Sequence, residues 1–563
     1  MNKKWEINKA DEEQVKEIEN KYQINSLLAQ ILVNRGITNE KEIIQFLKPT
    51  RNDFYDPYLM PDMEKAVQRI LKAIETGEKV LIYGDYDVDG ITSVTVLKSF
   101  LEERGLKVDE YIPNRLDEGY GLNKKAVEKI AAEKYTLMIT VDCGISAIEE
   151  VEYANSLGIE VIITDHHEPG ETLPEAVAVV DSKRKDNGYP FRNLAGVGVV
   201  FKLIQAIGQK LQLDEKEYLK YLDIVCIGTI SDIVPLVDEN RVIVKLGLML
   251  VEQTKNIGLK TILLASGYQK VDSTTISFGI APRINACGRM GHQEDALKLF
   301  LSKDQEEVTK LAEKLNEYNR LRQDKEKQIF LEALDKIKKD EIENKSVMII
   351  DGENWHHGVI GIVASKITEM YFKPSILLCF EGDEGKGSGR SIPGFDLHEA
   401  LTKCESNLER FGGHSMAIGL SVKRDNIENL RKQLEEIAKE KQIDKIVSIL
   451  KIDAIVDLNN INKEIVESLK QLEPFGEENK VPLFVFRNLK IDSIRALSEG
   501  KHIKLTLRQD NKNLINAVGF NLGELSNEYR IGDKVDVVGS LEINKFNGEE
   551  NIQILLKDMM KSI

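Results

Sequence analysis

Cysteine is scarce in this chain of 563 residues: Cys143, Cys226, Cys287, Cys379 and Cys404 are all there is. They are scattered and form no CxxC pair, which excludes a disulfide framework and points to a reducing cytoplasm. Long apolar runs are missing too. None approaches the ~20 residues needed to span a bilayer, and no apolar signal segment stands behind Met1-Asn2-Lys3-Lys4-Trp5-Glu6, so no membrane role is expected. Positive charge is in deficit, with a net charge of -16. That lacks the basic excess usual in nucleic-acid binders. Two things soften the argument: metal-binding carboxylates would be offset by their ions, and a local basic groove can exist on an acidic protein. Hydrophobic content of 42% and charged content of 30% are ordinary for a soluble globular protein. The length exceeds what one hydrophobic core organises, so three to four domains are expected.

What the chain does have is acid in particular places. Tyr83-Gly84-Asp85-Tyr86-Asp87-Val88-Asp89-Gly90 sets three aspartates at i, i+2 and i+4, directly after the apolar Val80-Leu81-Ile82. This reads as a buried strand that ends in a carboxylate-rich loop and then opens a helix. Like charges at a strand end repel one another and are tolerated where cations hold them together. Asp142, Asp165-His166-His167 and Asp232 add residues of the same kind. Carboxylates with imidazoles are the ligand set of Mn²⁺- or Mg²⁺-dependent phosphoryl chemistry.

The order of elements explains how these residues meet. Residues 1–60 read as a helical arm packed on the first domain. Strands are expected at 79–82, 108–112, 137–141, 161–164 and 177–180, with helices at 91–104, 124–133 and 146–157. This βαβ rhythm implies a mainly parallel sheet with helices on both faces, whose ligand sites lie beyond the carboxyl ends of the strands. Asp85, Asp87 and Asp89 follow the first strand, Asp142 the third, and Asp165, His166 and His167 the fourth. Asp232 lies in an apolar run, where an acid costs too much unless paired or bound to metal. Asp223, nine residues earlier, is the competing candidate.

The stretch 278–290 is punctuated by Gly and Pro and reads as a loop. It carries Arg283, Asn285 and Arg289, and arginines on such loops suit bidentate phosphate contacts; an ordinary surface loop is the alternative. Residues 305–340 form one amphipathic helix, a rigid connector between lobes. A second α/β unit at 341–445 has strands at 346–350 and 375–380. His356 and His357 open a helix there, as second-site ligands or as caps and substrate contacts. Residues 385–391 form a glycine-rich basic loop whose Ser388, Gly389 and Arg390 suit phosphate. A glycine-rich turn at 411–419 brings Gly413 and His414 close to a backbone. From 446 to 563 short alternating strands at 482–486, 503–507, 514–520, 534–541 and 551–556 suggest a small barrel, first of all an oligonucleotide-binding (OB) fold. Arg487, Lys490, Lys501, Lys504, Arg508 and Phe520 could line a single-strand path on it. The expected fold class is α/β: two α/β lobes at 61–304 and 341–445 joined by a long helix, plus a C-terminal OB-like β-barrel.

These motifs, in this order, resemble the DHH phosphoesterase superfamily. Asp165-His166-His167 looks like the triplet for which it is named, and Gly412-Gly413-His414 like the signature of its associated second domain. The barrel and the run from Tyr83 to Ser93 are similar to its bacterial single-strand-specific DNA exonucleases. The resemblance implies two Mn²⁺ or Mg²⁺ ions held by Asp87, Asp89, Asp142, His166 and Asp232, with Asp85 either a ligand or an orienting neighbour. It implies for His167 either a supporting place behind the metal ligands or a transition-state contact, a place for His414 near the scissile phosphate, and a 5′-end pocket of Arg115, Arg283, Ser388, Gly389 and Arg390. The implied reaction is 5′→3′ hydrolysis of single-stranded DNA to 5′-mononucleotides, in recombination, DNA repair and replication-fork processing. A single-stranded-DNA-binding protein and a RecQ-type helicase are the implied protein partners, and a monomer the implied state. A short-oligonucleotide or cyclic-dinucleotide phosphodiesterase, a manganese pyrophosphatase and a non-catalytic single-strand binder are the rival readings.

Overall fold

The computed structural model describes residues 3–115, 117–510, 513–546 and 548–562. The chain divides into two units. The larger comprises 55–234 and 247–447, and the barrel unit comprises 1–54, 235–246 and 448–563.

The larger unit is built on two sheets. The first has five strands, all parallel, in the order Lys107–Tyr111, Lys79–Tyr83, Leu137–Val141, Glu160–Asp165, Ala178–Asp181. Leu137–Val141 is buried at every position, as a strand covered on both faces must be. Leu81, Tyr83, Met138, Val161 and Ile163 face one side with Ala126, Val127, Ile130 and Val151 of the helices Lys124–Ala132 and Ile148–Ser156. The helices Val88–Glu102 and Gly196–Lys210 pack against this sheet, and Leu222–Ser231 packs on both of them. Strand order reverses between Lys79–Tyr83 and Leu137–Val141, which opens a crevice at their carboxyl ends.

The second sheet runs Arg410–His414, Ala417–Lys423, Glu384–Arg390, Ser375–Glu381, Met348–Glu353, with only the last two strands parallel. One 35-residue helix, Gln305–Lys339, packs on Ala281–Arg289 and Gln293–Leu301 and also on His357–Tyr371 and Met348–Glu353. Asp304 caps it, accepting from the Glu306 and Glu307 amides at 2.7 and 3.2 Å, and three lysines in its last turn complement the helix dipole.

Three local expectations are corrected here. Residues 385–391 were expected to be a loop, and they form the strand Glu384–Arg390. Its glycines leave room for large neighbours: a Cβ on Gly385 would stand 2.6 Å from the Phe380 ring and one on Gly387 2.5 Å from Leu378. Residues 278–290 are helical, a π-turn Thr275–Ile280 running into the helix Ala281–Arg289. Pro282 is tolerated in its first turn, where no intrahelical N–H is needed. The glycine-rich turn at 411–419 is a β-hairpin, in which Gly413 has φ 132° and its Cβ would meet the Ala417 carbonyl at 2.4 Å.

In the barrel unit the strands Phe484–Leu497, His502–Gln509, Asn513–Gly519, Glu549–Lys561 and Lys534–Phe546 pair in that order, and the last pairs back to the first. The N-terminal arm, expected on the first α/β domain, belongs to this unit instead. Its Leu28, Ile31, Leu32, Ile43 and Phe46 share one core with Phe484, Phe486, Leu505 and Val535 of the barrel. It also opens with a strand, Lys4–Ile7, parallel to Ile449–Ile452. Apolar area, not sequence proximity, chose the partner.

Candidate metal centre and phosphate pocket

The carboxylates arrive from the crevice where strand order reverses. Asp87 ends the loop after Lys79–Tyr83 and caps the helix Val88–Glu102, accepting from the Gly90 amide at 3.1 Å. Asp89, in the first turn of that helix, is buried and accepts from the amides of Gly196 and Val197 at 2.6 and 2.8 Å. These amides open the helix Gly196–Lys210, so its positive end faces a carboxylate. Gly196 must be glycine, because a Cβ there would sit 2.7 Å from Asp142 Oδ1. Asp142 follows Leu137–Val141 in left-handed backbone, φ 59°, with its amide bonded to the Thr164 carbonyl at 3.0 Å.

Asp165 plays a different part from its neighbours. Its carboxylate accepts from the His166 amide at 2.7 Å, the His167 amide at 3.2 Å, His167 Nδ1 at 2.7 Å and the Ile145 amide at 2.9 Å. Burial pushes the Asp165 carboxyl up, but the bond and charge of His167, the His166 charge and the Ile145 N–H outweigh it and hold it at about 2. His167 is raised in turn: burial works against the imidazolium, and the Asp165 hydrogen bond and charge prevail.

Potential ligand atoms within 4.8 Å of one another form three overlapping groups: Asp85, Asp87 and Asp142; Asp89, His166 and Asp232; Asp142, His166 and His167. His166 Nε2 lies 3.1 Å from Asp142 Oδ1 and 3.8 Å from Asp89 Oδ2, and Nδ1 lies 3.6 Å from Asp232 Oδ2. Both His166 ring nitrogens, Asp142 Oδ1 and Asp85 Oδ1 are buried without a hydrogen-bond partner among the described residues. Burial, and then His167, lowers His166 to about 3, which leaves the neutral imidazole that ligates metals. Burial raises Asp85 and Asp142 well above the carboxylate range, with Asp87 the next cause for Asp85 and Asp89 for Asp142. Burial and Asp89 do the same to Asp232, and burial and Asp87 bring Asp89 to about 7. Acids this crowded do not all ionise unaided, and orphaned oxygens beside an orphaned neutral imidazole fit divalent cations of the Mn²⁺ or Mg²⁺ type.

Of the two acids left open by the sequence, Asp232 stands at this cluster. Asp223 sits at the other end of the helix Leu222–Ser231, where Thr254 Oγ1 donates to it at 2.6 Å. The residue after Asp232 is Ile233, a β-branched side chain 71% exposed with φ 61°. Left-handed backbone costs such a residue roughly 1–2 kcal/mol. Ile233→Gly is therefore expected to raise stability by about 1 kcal/mol after glycine's own entropic cost. Urea melts of the two proteins check it, and a loss of stability would show that the Ile233 side chain makes compensating contacts.

A second cluster in the larger unit is cationic. Arg289 donates to the Gly358 carbonyl at 2.9 Å, and Arg390 to Ser388 Oγ at 3.0 Å and the Gly389 carbonyl at 2.7 Å. Arg115 lies over the Tyr86 ring, 4.9 Å from its centroid. Burial, then the charges of Arg115, Arg322 and Arg390, brings Arg289 down to about 10. Burial and Arg115 lower Arg390 likewise. Guanidiniums that depress one another make a place for an anion. The helix His357–Tyr371 comes close, since a Cβ on Gly361 would be 3.1 Å from Arg390 Nη2. His356 occupies that helix's N-cap position, with Nδ1 buried and unpartnered among the described residues.

Arg283, Asn285 and His414 are the other expected contacts. Arg283 donates to Asn316 Oδ1 at 2.6 Å and to the Gly279 carbonyl. Asn285 is half-buried on the helix Ala281–Arg289. His414 is exposed at the end of the strand Arg410–His414, paired in register with Ala417. One residue the sequence reading missed stands at the metal cluster: the Tyr120 hydroxyl is 3.2 and 3.3 Å from the two His167 ring nitrogens. Its signal was the pair of flanking glycines, Gly119 and Gly121, both at positive φ.

The sequence matches the DHH family, N-terminal domain, over residues 79–229, the DHHA1 domain over 344–440 and the RecJ OB domain over 452–558. It is 38% identical over 561 residues to the single-stranded-DNA-specific exonuclease RecJ of Bacillus subtilis (strain 168), covering 99% of this chain and 70% of that one. It is 31% identical over 563 residues to the protein of that name from Escherichia coli (strain K12), covering 95% of each. The crystal structure of RecJ from Thermus thermophilus in complex with Mn²⁺ superposes with a TM-score of 0.87 at 28% identity, covering 100% of this chain and 80% of that one. The Mg²⁺ complex from the same source gives 0.81 at 26% identity, covering 100% and 79%.

Proposed function

The chain belongs to the RecJ family, and from that premise we propose that it is a metal-dependent exonuclease specific for single-stranded DNA. One observation carries the reading beyond family membership: crowded carboxylates and a neutral histidine converge, with lone pairs of Asp85, Asp142 and His166 unspent. Asp85, Asp87 and Asp142 would hold one ion and Asp89, His166 and Asp232 another. Divalent ions held there supply positive charge and an activated water for phosphodiester hydrolysis. The protein's own residues do the rest. Asp165 holds the His167 ring and favours its charged form, whose positive charge would face the non-bridging oxygens of the scissile phosphate. Arg115, Arg289 and Arg390, with Ser388 and Gly389, take the 5′-terminal phosphate. Anchoring that end gives 5′→3′ polarity and a 5′-mononucleotide product. His414, Gly413, Arg283 and Asn285 remain candidates for the path of the following nucleotides.

Such an enzyme acts on strands that another activity has separated, which supports a RecQ-type helicase and a single-stranded-DNA-binding protein as partners, and work in recombination and repair. The test is a time course on single-stranded DNA labelled at either end, with Mn²⁺, Mg²⁺ or EDTA. Mononucleotide should leave the 5′ label at once and EDTA should stop it. Survival of long DNA while di- to tetranucleotides disappear would assign the site to a short-oligonucleotide phosphodiesterase instead.

A further inference from the structure

Tyr120 belongs to neither the ligand set nor the guanidinium cluster, yet it is bound to both histidine and ligand backbone. Its hydroxyl donates to the Asp142 carbonyl at 3.3 Å and lies 3.2 Å from His167 Nδ1 and 3.3 Å from Nε2. Its ring stands edge-on to His167, 5.7 Å between centroids. The geometry points to Tyr120 as a positioning residue for His167, fixing the imidazole so that it meets the scissile phosphodiester in one orientation. This rests on the reading of the centre as a phosphodiesterase.

The contacts divide the two His167 ring nitrogens between two partners. His167 Nδ1 is committed to Asp165 Oδ1 at 2.7 Å, so Nε2 is the nitrogen left for the tyrosine. The Tyr120 oxygen stands 3.3 Å from that nitrogen. The hydroxyl proton then goes to the Asp142 carbonyl. A chain results, Asp165 to His167 to Tyr120 to the backbone of Asp142, pinned at both ends by residues of the metal centre. The residue as a whole is 54% exposed, while its hydroxyl is engaged by both Asp142 and His167. A tyrosine held only for packing would bury its ring. Here the hydroxyl is tied down and the residue is largely open.

The closing experiment compares Tyr120→Phe and Tyr120→Ala with the unaltered full-length protein on single-stranded DNA, alone and combined with His167→Ala. Tyr120→Phe should lower kcat about tenfold with KM within about twofold. In the His167→Ala background the same change should cost less than about twofold, since the residue acts through the imidazole. Mn²⁺ binding by calorimetry should be unchanged. In the Mg²⁺-loaded protein labelled with ¹⁵N-histidine, the His167 Nε2 resonance should move in Tyr120→Phe. A kcat within about twofold of the parent, or a full loss repeated in the His167→Ala background, overturns the proposal. A rise in KM alone, for Ala but not Phe, overturns it in favour of a base-stacking ring. Should the unaltered protein release no nucleotide at all, the phosphodiesterase reading fails, and the histidine resonance still reports on the bond.

Discussion

Asp142→Asn abolishes metal-dependent nucleotide release, an expected loss of at least about 10³-fold in kcat, or about 4 kcal/mol of transition-state stabilisation. The size follows from where Asp142 stands. It alone among the acids belongs to both the group with Asp85 and Asp87 and the group with His166 and His167, so its loss removes a ligand from one ion and disturbs the surroundings of His166. Asparagine keeps the shape and one acceptor but removes the charge that holds a cation. The same substitution should stabilise the metal-free protein by about 1–2 kcal/mol, because it takes one acid out of a buried, self-repelling cluster. The paired measurement is nucleotide release with saturating Mn²⁺ and a thermal melt in EDTA. Near-parental activity with bound Mn²⁺ intact would falsify the assignment of Asp142, and an unchanged melt would show that the cluster is not electrostatically strained.

The second large effect is on stability, away from the metal centre. Arg241, in the barrel unit, is 1% exposed. It donates to five main-chain carbonyls, those of Phe46, Gln471, Leu472, Glu473 and Pro474, at 2.8–3.4 Å. Its guanidinium lies 3.7 Å from the Phe46 ring centroid. Four of the acceptors end the short 3-10 helix Leu469–Leu472 or follow it, where unpaired carbonyls carry the negative end of the dipole. Arg241→Ala should cost about 3–5 kcal/mol, each buried carbonyl without a donor contributing about 1–3 kcal/mol less whatever entering water recovers. Arg241→Lys keeps the charge with fewer donors and a rounder head, and should fall between the two. Urea denaturation of the full chain reads this directly. A loss below about 1 kcal/mol for Ala would mean that water serves these carbonyls as well as the guanidinium does.

Much of the centre was legible because parallel sheets put chemistry at one edge. Asp85, Asp87, Asp89, Asp142 and the Asp165 triplet could be placed together from the ends of apolar runs alone, without knowing a distance. The pattern could not separate Asp223 from Asp232. Both lie on one apolar helix or at its end, and only its direction decides which of them meets His166. Nor could it tell Asp165 from its neighbours: its four donors are the amides of His166, His167 and the distant Ile145 and the His167 ring, and a ligand and a strut look alike as letters. Glycine misled twice. In Glu384–Arg390 glycines sit where Phe380, Leu378 and Leu420 fill the space above the strand, so what read as loop composition is packing. In Ala281–Arg289, Gly288 lets the helix approach the Tyr86 carbonyl, 2.8 Å from where a Cβ would stand. The N-terminal arm was misplaced because its partner core lies at the far end of the chain, beyond any local pattern.

That last feature bears on synthesis. The barrel unit is assembled from three stretches, 1–54, 235–246 and 448–563. Trp5 Nε1 donates to Asp558 Oδ2 across 553 residues of sequence. At roughly 5–20 residues per second, the ribosome takes on the order of half a minute or more between making the first of these partners and the last. The larger unit, complete at residue 447, can close in that interval. The N-terminal helices cannot. Leu28, Ile31 and Leu32 must wait for strands not yet translated, with their apolar faces open to holding chaperones or to a neighbouring nascent chain. Helices made early are buried late, and Glu549–Lys561, whose Ile554, Leu556 and Met559 complete their core, is the last of these barrel strands to be made.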